Sequence, residues 1–398
     1  MADTNQQLIR EKHAQLDQLL PTLNADCWLV FCREGGDPAT TLLTGSDVVG
    51  QTAFLCTKTG QKYAIMADFD ASVVQDAGVF DEVVAYSKSN ALEPLQQLLA
   101  KLQPATIALN YSQSDPLADG LTLGMYQLLR DKLGIADFES RIRSAEALLD
   151  TLRAQKTPEE LRRLRQAVVI TEKIFEEIAG FMRHGMSEKH VADFVKDRQR
   201  HYGVGYSFGE GANVMAGRVG MGHRPASDAP LQAGDTVVVD MGVVYEGYTS
   251  DIMHTYYLLP EGENTASAEV QHRFEAAREA VKASAAALAP GKKGHEIDAV
   301  AKEVLQRYGV TPYTHALGHQ IGRTVHDGGT LLAPLTARYG QRGNVAIQAG
   351  EVYTIEPVVH GRTGVDGSPI GPEKDVVVTE SGAEFLSEPQ ESLTLIRP

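Results

Sequence analysis

The stretch GMSEKHVADFVKDRQRHYGV, residues 185–204, aligns without a gap to GKKGHEIDAVAKEVLQRYGV, residues 291–310. Both open on glycine (Gly185, Gly291), pair Val191 with Ile297, Lys196 with Lys302 and Asp197 with Glu303, and close on Tyr-Gly-Val. Each copy follows a long stretch of helical spacing, residues 159–181 and 267–288, and precedes a β-rich region. Two amphipathic helices ending in glycine can look alike by chance, but the shared element order favours an internal duplication. Duplication predicts two similar α+β halves about a pseudo-two-fold axis, and a cleft between such halves is a natural place for a site.

Working outward, KTPEELRRLRQA (156–167) reads as a helix start, with Thr157 as cap, Pro158 in the first turn and Glu160 completing a capping box. The boundary is therefore placed near residue 152, giving units 1–152 and 153–398. The first unit alternates short β-rich runs (CWLVF, TAFLC, YAIM, EVVAYS, TIALNYS) with the helix-like LEPLQQLLAKL, the pattern of a small α/β domain. With 37 Lys and Arg against 52 Asp and Glu, the net charge of −15 argues against nucleic acid or an acidic membrane as a charge-recognised partner. Cys27, Cys32 and Cys56 are odd in number and confined to the start of the chain, which makes no disulfide framework and fits a reducing cytosol. There is no basic-then-apolar leader and no apolar run of about 18 residues, so the expectation is a soluble cytoplasmic protein without a membrane partner.

Between the two copies lies VVVDMGVVYEGYTSD, residues 237–251, with Asp240 ending a valine run and Asp251 eleven residues later. With the turn at YEG (245–247), a loop at Tyr245 and Glu246 sets Asp240 opposite Asp251, and a one-residue shift makes them diagonal neighbours. Both registers keep the carboxylates on one face of the hairpin. Two close like charges need a proton or a cation between them. On the hairpin alone, a metal site and an ordinary turn acid plus a surface acid stand level. The second half then supplies HALGHQIGRTVHDGG with His315, His319 and His326, VYTIEP with Glu356, and IGPEKDVVVTE with Glu373 before another valine run. A lone buried His is more often a hydrogen-bonded core residue than a ligand. Four strand-associated carboxylates plus imidazole suit a pair of hard or borderline divalent ions, and the lack of cysteine ligands points to a catalytic rather than a structural site.

In order and spacing, Asp240, Asp251 in GYTSD, His319 in HALGH, Glu356 in IEP and Glu373 resemble the five ligands of the pita-bread metallopeptidases, among them methionine aminopeptidase, aminopeptidase P and prolidase. The resemblance covers the whole second unit, and the first unit resembles the creatinase-type N-terminal domain of the proline-specific members. It implies a pita-bread catalytic domain in which Asp251 and Glu373 bridge two divalent ions (manganese, cobalt or zinc), Asp240 holds one and His319 and Glu356 the other. His223 falls where the proline-specific members keep a substrate-side histidine, and His315 and His326 match positions lining their site. The chain departs from the family pattern at Gly371 and Lys374, which replace the Arg and Asp of RIED, at His254 for the Arg of SDxxRT, and at Thr330, where some prolidases keep an Arg.

The implied reaction is hydrolysis of the Xaa-Pro bond of dipeptides by a metal-bound hydroxide, with longer peptides, the substrates of aminopeptidase P, as the alternative. Glu356 would shuttle the proton, His326 would stabilise the oxyanion and His223 would position proline. Arg323, Arg338 and Arg342 are the expected partners of a substrate carboxylate. Related two-domain peptidases pair, so a homodimer is expected. A metal-independent creatinase-like hydrolase lacks the complete carboxylate set, and a non-enzymatic peptide-binding module of this fold has lost it.

Overall fold

The computed structural model describes residues 2–46, 48–209, 211–217, 224–360 and 369–398, and the chain divides into two compact units, Met1–Glu159 and Glu160–Pro398. The sequence-based boundary near 152 falls inside helix Glu146–Ala154, whose Leu148, Leu149 and Leu152 lie in the core of the first unit.

That first unit is built on a six-stranded mixed sheet. Strand Cys27–Cys32 runs antiparallel to Thr52–Thr57 and parallel to Ile107–Leu109. Strands Cys27–Cys32, Thr52–Thr57 and Lys62–Ala67 are buried at every position, because both faces of the sheet are covered. Side-chain alternation sorts them into two cores. Trp28, Val30, Phe54 and Met66 pack with Leu16 and Leu149 on one face, while Leu29, Phe31, Leu55 and Ile65 pack with Leu95 and Leu129 on the other. All three cysteines are buried free thiols, two of them, Cys27 and Cys56, on opposite faces.

The second unit repeats one motif twice. Helices Pro158–Phe181 and Glu188–Tyr202 precede the sheet Ala212–Ala216, Thr236–Met241, Ile252–Leu258, Thr394–Ile396. Helices Ala268–Ala287 and Gly294–Arg307 precede the sheet Val352–Ile355, Lys374–Thr379, Gly382–Phe385. The aligned segments begin with the same backbone geometry. Gly185 (φ 79°) and Gly291 (φ 84°) both take the left-handed turn that glycine adopts without strain. Their N–H groups donate to Leu231 O and Ile347 O at matching places. Ser187 bridges Pro230 as Lys293 bridges Ala346; Ser187 opens its helix with a reciprocal capping box, whereas at the second helix only the Lys293 N–H is met, by Glu296 Oε2 at 2.7 Å. Each half also has its own core, Ile174, Val195 and Val239 in the first, Val281, Val304 and Val376 in the second.

Among the described residues, no helix is long and apolar enough to cross a membrane.

Candidate active site

The valine strand Thr236–Met241 sends Val237, Val239 and Met241 into the helix-covered core and leaves Val238 and Asp240 on the other face. The turn that follows fixes the register. Tyr245 pairs with Tyr248 across Glu246 (φ 48°) and Gly247 (φ 80°), a two-residue turn with both φ values positive, as a tight hairpin requires. Continuing that pairing puts Asp240 opposite Met253, and the observed ladder does so. Asp251 is therefore the diagonal neighbour of Asp240 on the same face, the shifted one of the two registers open from sequence. Gly242 faces Asp251 in this register; a Cβ there would lie 1.7 Å from Ser250 O, so only glycine lets the two backbones close. Met215, Val238, Met253 and Val358 form a small buried apolar cluster on the Asp240 side of the sheet.

The second half brings its residues to the same face. Thr354 N–H donates to His319 O and Glu356 N–H to Leu317 O, which ties the HALGH segment to strand Val352–Ile355. Glu373 N–H donates to Met253 O, which ties the start of the next strand to the hairpin. As a result Asp240, Asp251, His319, His326, Glu356 and Glu373 line one cavity of about 690 Å³. One ligand-capable atom each of Asp251, His319 and Glu373 lie within 4.8 Å of one another. His319 Nε2 is 3.6 Å from Asp251 Oδ2 and 3.4 Å from Glu356 Oε1.

Electrostatics explain what such a cluster needs. Burial pushes the Asp240 carboxyl up to about 7, although Asn213 Nδ2 donates to its Oδ2 at 3.3 Å. Burial and the charge of Asp240 push Glu356 up to about 8. Asp251 and Glu373 are raised well above the carboxylate range by burial and by the charges of their neighbours. His319 is lowered to about 3 by burial and by His326, so its ring is neutral and its approach to Asp251 and Glu356 is not an ion pair. Its Nδ1 lies 3.2 Å from Gln320 O, a contact that places the ring proton on Nδ1 and leaves the Nε2 lone pair facing two carboxylate oxygens. Asp240 Oδ1 and Asp251 Oδ1 are buried without a hydrogen-bond partner. Lone pairs converging on one point, with orphaned acid oxygens beside them, fit divalent cations.

Residues 162–380 match metallopeptidase family M24. The chain belongs to that family. Among its M24 relatives, an Xaa-Pro dipeptidase of Pyrococcus furiosus is 28% identical over 274 residues, 69% of this chain and 73% of the relative. An Xaa-Pro dipeptidase structure from Bacillus anthracis superposes with a TM-score of 0.78 at 22% identity, covering 98% of this chain and all of that one. An X-Pro aminopeptidase structure from Thermotoga maritima gives 0.73 at 24% identity, covering 96% and 99%. At such identities these structures establish the fold, which is the pita-bread fold expected from the sequence.

The substrate residues expected from the M24 resemblance fare differently. His326 lines the cavity, its ring edge-on to His319 at 4.4 Å. His315 does not line it; its Nδ1 sits 2.6 Å from Ala316 O. Arg323 turns to Tyr248, 3.3 Å from its hydroxyl, Arg342 donates to Gly329 O, and Arg338 lies exposed over Tyr339. None of these three arginines is among the described residues of the cavity wall, and Thr330 is buried. His223 lies outside the described residues. The cations that do line the cavity are Lys189, Lys196 and Arg224, none of which the sequence assigns to a site. Lys189 and Lys196 share one face of helix Glu188–Tyr202, a spacing of seven that could have flagged them.

Proposed function

We propose that this M24 peptidase is an Xaa-Pro exopeptidase acting on dipeptides, with Asp240, Asp251, His319, Glu356 and Glu373 holding two divalent ions of the manganese, cobalt or zinc kind. The observation that carries the reading is that four carboxylates and a neutral imidazole line one cavity, with ligand atoms of Asp251, His319 and Glu373 within 4.8 Å of one another and two acid oxygens left unpartnered. Ions held there supply Lewis acidity to the scissile carbonyl and to water.

The chain's own residues account for the remainder. An amide nitrogen must gain a proton before it leaves, and that of an Xaa-Pro bond, a tertiary amide, has no N–H by which the enzyme could hold it. Glu356 takes that proton from the attacking water and returns it to the proline nitrogen. His326, beside His319 at the cavity wall, donates to the carbonyl oxygen as negative charge grows on it. His223 is the proposed contact on the proline side. Support for a dipeptide substrate comes from relatives named Xaa-Pro dipeptidase and from a cavity of a size that suits small ligands. The test compares Ala-Pro with Ala-Pro-Ala on metal-loaded enzyme. Faster turnover of Ala-Pro is expected, and preference for Ala-Pro-Ala overturns the dipeptidase reading in favour of an aminopeptidase of the same bond.

A further inference from the structure

Lys374 has no exposed side-chain surface, although it directly follows Glu373 and begins a strand in a domain core. A buried ammonium persists only where its charge and its donors are met. Here Nζ donates to Glu172 Oε1 at 2.8 Å and to His254 Nε2 at 2.7 Å. Glu172 Oε2 stands 3.3 Å from the same imidazole nitrogen, and the His254 ring stacks on Phe175 at 4.1 Å and 10°. The three residues come from three elements. Glu172 and Phe175 lie one helical turn apart on helix Pro158–Phe181, His254 is on strand Ile252–Leu258 three residues after Asp251, and Lys374 is one residue after Glu373. Thr171 Oγ1 meets Ser250 Oγ at 2.8 Å, so the same stretch of helix also touches the residue before Asp251.

Strand geometry makes the arrangement directional. Lys374 and Glu373 point to opposite faces, so pulling Lys374 toward the helix turns Glu373 toward the cavity. Lys374 also pairs with Ile355, the residue before Glu356. The contact thus ties together the backbone next to three of the clustered acids, across the junction between the two halves of the unit.

We propose that Lys374, His254 and Glu172 form a positioning brace that holds Asp251, Glu356 and Glu373 in register and thereby sets the affinity of the acid cluster for divalent ions. The inference rests on the reading that these acids hold such ions. The brace itself touches none of the proposed ligands' carboxylates; its members are positioning residues. Lys374 stands where the family pattern carries Asp, and His254 where it carries Arg.

Charge and position can be separated experimentally. Lys374→Met alone would strand the Glu172 carboxylate and alter the local field, whereas Glu172→Gln with Lys374→Met removes one charge of each sign and leaves the net charge unchanged. Mn²⁺ is titrated by calorimetry into metal-stripped full-length wild type, the double variant and His254→Phe, which keeps the stack but deletes the acceptor. Tyr256→Phe serves as control, since it loses only the bond from Tyr256 OH to Phe175 O on the same helix. Expected is a loss of about 10- to 100-fold in Mn²⁺ affinity for the double variant and for His254→Phe, the range seen when partners behind metal ligands are removed, with Tyr256→Phe close to wild type. The brace is overturned if the double variant, or His254→Phe where the double variant does not fold, binds Mn²⁺ within a factor of about three of wild type, against that same range. It is equally overturned if Tyr256→Phe weakens binding as much, since packing alone would then explain the loss. Wild type that takes up no Mn²⁺ sinks the ion-binding reading along with the brace, a result distinct from either.

Discussion

Stripping the metal from this protein should make it sensitive to alkali. In the folded chain without cations, Asp240 is raised from 3.8 to about 7 and Glu356 from 4.5 to about 8. A raised acid pKa means that the folded state binds protons more tightly than the unfolded one, so stability is present at low pH and drains away as pH climbs through the folded value. Between about pH 5.5 and about pH 8, Asp240 forfeits ~2 kcal/mol and Glu356 ~3 kcal/mol by linkage. Asp251 and Glu373, raised by the same burial and crowding, push in the same direction. For a domain of this size, a loss of ~5 kcal/mol corresponds to a fall of roughly 10–20 °C in Tm. The assay is thermal unfolding of chelator-treated protein across that pH window, with and without excess Mn²⁺. Expected is a steep fall for the stripped protein and little change for the Mn²⁺-loaded one, because bound cations keep the carboxylates ionised at every pH in the range. A stripped protein whose Tm stays flat or rises with pH would refute the claim that these acids crowd one another without a counter-charge.

Asp251→Asn or His319→Ala should cut metal-dependent peptidase activity by at least about 100-fold, more than loss of an outer partner costs, while far-ultraviolet circular dichroism stays unchanged; retention of more than a tenth of the activity would contradict their place in the cluster. Gly242→Ala should destabilise the fold by about 1–3 kcal/mol or more in urea, since its Cβ would fall 1.7 Å from Ser250 O, a backbone atom that cannot rotate away. His13, buried and lowered to about 4 chiefly by desolvation, binds its proton better in the unfolded chain, so about 3 kcal/mol of stability should drain from the first unit as pH falls from about 6.5 to about 4, and His13→Phe should flatten that slope. The expected homodimer predicts a light-scattering mass near twice that of the chain, and a fully active monomer at assay concentration excludes it.

How far the sequence could be read depends on the range of the interactions involved. Gly185 and Gly291 are legible because the left-handed turn is a local demand, met by the residue itself, and two such demands in the same register betray a duplication. The Asp240–Asp251 geometry is nearly legible, since strand parity fixes the shared face and only the choice of turn residues, Glu246 and Gly247 with both φ values positive, selects the diagonal register. Arg323 shows where this reasoning runs out. Standing between His319 and His326, it has the charge and the sequence position of a substrate ligand, yet its guanidinium lies over the Tyr248 ring at 5.3 Å, on a hairpin some 75 positions away. Nothing in the local sequence reports that contact. Lys374 is the converse case. In a valine-rich strand a lysine looks misplaced, and its partners Glu172 and His254 lie 202 and 120 positions away, on elements whose mutual packing no spacing rule supplies. A buried charge in a strand is still a usable signal, because burial obliges a counter-charge. What stays hidden is the third member, since Glu172 is one of several acids on an amphipathic helix and only the rotation of that helix, set by Ile174, Phe175 and Ile178 in the core, decides which of them meets the lysine.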